Sequence, residues 1–162
     1  MQTAADYNEF RACATMIDRS KLENVILVAD RGYENYNIFA HAIEKGWKFA
    51  IRIKDKNSNG IASGLNFPPN DEFDIDITQI FSRKNTKTTK NADYKWMPVN
   101  QVFDYLPRKS DKTYELSFEM AHYADIGIIL HREKYIRATR STSSFDLISL
   151  LVASIIGCSV MP

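Results

Sequence analysis

The stretch Val25 to Asn37, VILVADRGYENYN, constrains this chain more than any other. Val25 to Ala29 is an apolar run without alternation, which suits a strand covered on both faces, as in an α/β sheet. The run stops on a carboxylate, Asp30, followed by a cation and by Gly32, a residue that lets the chain turn sharply. Asp30 is therefore expected at the carboxyl edge of a sheet, where open α/β folds place their ligands.

The flanking segments have the periods that such a strand needs. From Ala5 to Arg19, Phe10, Cys13, Ala14 and Ile17 recur at helical spacing, with Thr3 as an expected N-cap. After the turn, Tyr36, Phe39, Ala40 and Ile43 repeat that spacing, with Asn35 as the cap and Gly46 as the stop. Trp47, Phe49, Ile51 and Ile53 then alternate with Lys48, Ala50, Arg52 and Lys54, the pattern of a strand with one apolar and one mostly basic face. Strand, helix and strand in so short a span predict a βαβ unit with parallel strands.

The run DRGYENYN, with NEFRACATMIDR before it and FAHAIEKGWKFAIRIKD after it, resembles insertion-sequence DDE transposases. A weaker likeness continues through YELSFEM, near Met120. The resemblance implies a partial RNase H-like α/β core over residues 1–56 and a β-rich insertion over 57–123. A divergent apolar tail, with helix as one reading of it, is expected over 124–162. It also implies metal-dependent cleavage and transfer of DNA strands, with Mg²⁺ or Mn²⁺ as cofactor and transposon-end DNA as partner. The aspartate of the DRGY motif is the second of three metal-binding acids in that family, and it maps onto Asp30. Asn35 stands where a serine is expected, and it keeps a helix-capping side chain.

Two departures bear on activity. The first catalytic aspartate of such an enzyme lies on an earlier strand, which would fall upstream of Met1; Asp6 and Asp18 belong to the first helix. The third acid belongs to a Tyr-x2-Arg-x3-Glu-x6-Lys motif. Around Glu133 the corresponding positions hold Ile126, Ile129 and Arg140. The expectation is a truncated copy that is inactive alone. It would pair with itself or with full-length transposase, or be retained as a DNA-binding or protein-interaction module. A different RNase H-like nuclease is a further alternative.

Beyond that motif the readings stay divided. Phe73, Ile75 and Ile77, and again Tyr114, Leu116, Phe118 and Met120, alternate with polar residues and predict antiparallel β structure. Asp55 to Asn70 reads as loop or boundary. Arg31 either contacts phosphate or pairs with an acid. Arg52 and Lys54 either touch a DNA backbone or form a solvated face. Arg83 to Lys90, RKNTKTTK, carries four cations (Arg83, Lys84, Lys87 and Lys90) and no acid, and is either an ordinary solvated charged loop or the best local nucleic-acid patch in the chain. Tyr94 and Trp96 either stack on an unpaired base or, more simply, pack in the core or a hairpin. Asp71, Glu72, Asp74 and Asp76 read most simply as the wet side of a sheet.

Composition adds bounds. The 162 residues suit one domain, and 44% hydrophobic with 12% aromatic residues fill a real core. A net charge of +1 leaves any DNA contact to local clusters. Cys13 and Cys158 imply neither disulfide nor zinc site, and a reducing, cytoplasmic setting fits. Leu147 to Met161, broken by serines, falls short of the roughly 20 residues that a bilayer needs, so no membrane partner is expected.

Overall fold

The computed structural model describes residues 8–54, 58–69, 72–86, 94–123 and 126–131, with the backbone alone for 123 and 126–131. Helix α1, Glu9–Arg19, starts later than its periodicity suggested, because Asn8 takes an extended backbone and its side chain accepts a hydrogen bond from Arg11 N. Thr3 lies outside the described residues. Ala14 and Ile17 are buried as expected, while Phe10, assigned to the same stripe, is exposed.

Strand β1, Ile26–Ala29, pairs in parallel with β2, Lys48–Ile53, from Ile26 opposite Lys48 to Ala29 opposite Ile51. Between them runs α2, Tyr36–Glu44. The βαβ expectation therefore holds in pairing and direction. Asn35 caps α2 through its side-chain oxygen, which accepts from Asn37 N at 2.8 Å. Gly46, at φ 72°, ends the helix in the left-handed region that costs glycine least. Tyr36, Ile38, Phe39, Ala40 and Ala42 are all buried, so α2 is enclosed on more than its expected stripe.

One expectation about β1 fails. Val28 is 64% exposed, so the strand is not covered on both faces. The reason is topological: the strands lie in the order β1-β2-β6-β5-β3-β4, which leaves β1 at an edge with β2 as its neighbour among the described residues. An unbroken apolar run thus reports composition and not two-sided burial.

Strand β3, Phe73–Ser82, pairs antiparallel with β5, Thr113–Tyr123, from Phe73 opposite His122 to Ser82 opposite Thr113. A short β4, Tyr94–Trp96, lies parallel to the end of β3. The alternation seen in the sequence holds: Phe73, Phe81, Leu116, Phe118 and Met120 are buried, while Asp74 and Asp76 are exposed. Strand β6, Ile126–His131, pairs antiparallel with both β2 and β5 and joins the βαβ unit to the β3–β5 hairpin in one sheet. A helical tail is therefore not what residues 126–131 adopt. Their apolar, partly β-branched sequence fills a slot between two strands that already present ladder groups. Residues 132–162 lie outside the described residues.

The core lies where α2 crosses this sheet. Phe39 stacks on Phe49 with ring centroids 5.3 Å apart, and Tyr36 meets Phe81 at 4.8 Å. The β3–β5 hairpin and the βαβ unit thus share one set of buried aromatics. Within the segment 55–70, Ile61–Gly64 forms a 3-10 turn with Ile61 and Ala62 buried; residues 55–57 and 70 lie outside the described residues.

Candidate functional site

Asp30 sits directly after β1, at the carboxyl end of the parallel pair, and is exposed. One of its carboxylate oxygens accepts from Arg31 N at 2.6 Å, and its backbone carbonyl accepts from Tyr33 N at 2.9 Å. Asp30 thereby caps a single 3-10 turn, Arg31–Tyr33. Gly32 sits within this turn without a positive φ, and a Cβ there would meet nothing within 4 Å. The chain's sharp change of direction is made by the 3-10 turn and not by a glycine hinge.

Glu34, four residues on, is committed to the fold. Its side chain is 5% exposed and accepts from Lys54 N at 2.7 Å and from Ile61 N at 3.1 Å. The Lys54 ammonium lies 4.0 Å away. Gly60 makes room for this contact: a Cβ there would stand 2.5 Å from a Glu34 oxygen. The turn after β1 is thus tied to the loop after β2.

Asp30 does not fit a metal centre with the described residues alone. A hard divalent ion takes about six oxygen ligands, whereas the described residues contain no group of three histidines, cysteines or acids able to hold one. Asp30 offers one carboxylate, and Glu34 has its oxygens occupied.

The other sequence-derived positions separate clearly. Arg31, Arg52 and Lys54 are exposed near the end of the parallel pair. Lys84 is exposed, with its ammonium 2.8 Å from Asp111. Lys87 and Lys90 lie outside the described residues. Trp96, the last residue of β4, is 47% exposed, which argues against core packing, and Val99 and Val102 are exposed on the loop that follows.

Arg83 is a correction. It is 8% exposed, and its guanidinium donates to the carbonyls of Leu106, Met97, Pro98, Gln101 and Phe103. Burial and the nearby Arg108 push its pKa down, opposed by Asp104. A cation enclosed in this way organises the loop 97–106 and is not offered to DNA. The run of cations in the sequence gave no sign that its first member points inward.

A second cluster went unseen in the sequence because its members meet only in space. His41, buried on α2, places Nδ1 2.7 Å from Asp18 of α1 and Nε2 3.0 Å from Asp104 of the loop. Asn37 and Asp104 exchange two hydrogen bonds of 2.8 Å. Burial raises the Asp104 pKa, but hydrogen bonds from Asn37 and His41 and the charges of His41 and Arg11 more than offset it, so the net direction is down. Tyr105, 3.3 Å from His41 Nδ1, is pushed up to about 12 by burial and by the surrounding acids. This cluster fastens α1, α2 and the loop together.

Among the described residues no helix is long and apolar enough to cross a membrane. Neither the curated proteins nor the solved structures compared with the chain give a match. The family model described as Transposase DDE domain matches residues 2–129. That span runs past residue 124, where the resemblance in the sequence was expected to stop, and takes in most of β6. It covers well over half of the chain and includes the exposed aspartate at the end of β1, so this chain belongs to the DDE transposases of insertion sequences.

Proposed function

We propose that this chain contributes to cleavage and transfer of DNA strands in transposition, with Asp30 as one of the acids that hold a divalent metal ion. The reading rests chiefly on one observation: an exposed carboxylate closes the first strand of a parallel pair within the family-matched span. DDE transposases generally use divalent metal, which polarises a phosphodiester and its attacking oxygen. One acid is too few for that chemistry. The third-acid motif is missing, and Ile126 and Ile129, at its tyrosine and arginine positions, belong to strand β6. We therefore propose that these 162 residues do not cut DNA unaided. Purified chain with Mg²⁺ and transposon-end DNA should give no nicked or joined product, and a product would overturn this. Calorimetry with Mn²⁺ on wild type and on Asp30→Ala tests the metal role in trans: with full-length transposase present, binding should fall in the variant.

Arg31, Arg52, Lys54, Lys84 and Trp96 are proposed as DNA contacts, the cations on phosphates and the indole on a base. A second reading is a retained module that binds DNA or transposase without catalysis. The exposed Trp96 at the end of β4, with Val99 and Val102 exposed on the loop that Arg83 binds, favours it. A gel shift over a salt series supports either reading if binding weakens steeply as salt rises.

A further inference from the structure

Lys95, in the middle of β4, has a setting that packing alone leaves unfinished. Its ammonium lies 5.3 Å from the centre of the Tyr36 ring, and burial pushes its pKa down. It pairs with no carboxylate among the described residues. Tyr36 is 4% exposed, and its hydroxyl has no hydrogen-bond partner there. Gly64 borders the same ammonium, and a Cβ there would stand 3.2 Å from it. The negative charge nearest in sequence to Tyr36, Glu34, is already taken by two backbone donors, with the Lys54 ammonium 4.0 Å away.

A half-desolvated lysine usually gains an acid partner or gives way to an apolar residue, since removing its charge from water is costly. The aromatic face supports the cation without neutralising it, so its attraction for an outside anion is kept. Trp96 follows on the opposite side of the strand, because successive side chains alternate. We propose that Lys95 binds a phosphate of the DNA strand, at the place where β4 meets the start of α2 and the turn at Gly64. This rests on the DNA reading above.

The test measures binding of the 162-residue chain to a short labelled duplex across a sodium chloride series. Lys95→Met keeps the stem against Tyr36 and removes the charge. It should make the slope of log K against log salt shallower by roughly 0.9, the value for one lost phosphate contact on duplex DNA. Lys95→Arg should restore the slope, and Lys21→Met, an exposed lysine after α1, should leave it unchanged. Equal slopes for Lys95→Met and wild type overturn the proposal while the DNA reading stands. Absence of binding by wild type overturns both. Should Lys95→Met unfold, Lys95→Gln is read in the same way.

Discussion

Two connections in this molecule are built on opposite plans. Within the turn from Asp30 to Asn35, Asp30 and Asn35 are held by contacts that span one to three residues: Asp30 with Arg31 N, Asp30 O with Tyr33 N, and Asn35 with Asn37 N. Glu34 alone reaches far, to Lys54 N and Ile61 N. The loop from Met97 to Lys112 is held by partners far away in sequence, with Arg83 enclosed by five of its carbonyls and Asp104 bound to Asn37 and His41. The first leaves Asp30 exposed and available to a ligand, while Glu34 anchors it to the fold. The second spends its polar groups on the fold and leaves apolar side chains facing solvent. Chemistry and architecture are thus kept apart.

The contrast predicts a large stability effect in the loop and a small one in the turn. Arg83→Met removes the guanidinium donors from five carbonyls, of which Pro98 O and Phe103 O keep Gln101 N and Leu106 N, and should cost about 3–5 kcal/mol. Urea unfolding would measure it, and a loss under 1 kcal/mol would show that the loop holds without its cation. His41→Leu strands Asp18 and Asp104, which are each about half exposed, so we expect a loss of about 1–2 kcal/mol by the same measurement.

Gly60→Ala forces a Cβ against Glu34 and against Lys54 Cβ at 2.9 Å, and should cost about 1–2 kcal/mol. Thermal unfolding would detect it; no shift would mean that the Glu34 side chain moves freely out of its place. Asn35→Ala removes only a local cap and should cost about 1 kcal/mol. A loss as large as that of Arg83→Met would erase the distinction between the two connections.

The smallest expected effect is a dependence on pH. The carboxyl of Asp104 is held below its ordinary range in the folded chain, so its contribution is present above the unfolded value. It is lost as pH falls below roughly 4. Asp104→Asn should therefore flatten the acid limb of the stability curve, and an unchanged limb would show that the carboxylate contributes nothing there.

The same contrast explains what could be read in advance. The βαβ unit was legible because its signals are short-ranged: a period of two in β2, a period of 3.6 in α2, a cap at Asn35 and a stop at Gly46. The alternation of β3 and β5 was legible for the same reason. Arg83 was misread because a cation in a run of cations looks solvent-facing unless its carbonyl partners, 14 to 23 residues on, are known. The exposure of Val28 was misread because a strand's position in its sheet depends on every other strand. The core reading of Trp96 failed because it ends β4, the last strand of the sheet.

The amino-acid order by itself determined the periods, caps and turn chemistry that put Asp30 at the end of a strand, because those preferences act over a few residues. Only the tertiary structure decided that Arg83 turns inward, that His41 meets Asp18 and Asp104, and that β6 lies between β2 and β5. Such choices depend on which distant groups share a buried space, and burial is a property of the whole folded chain.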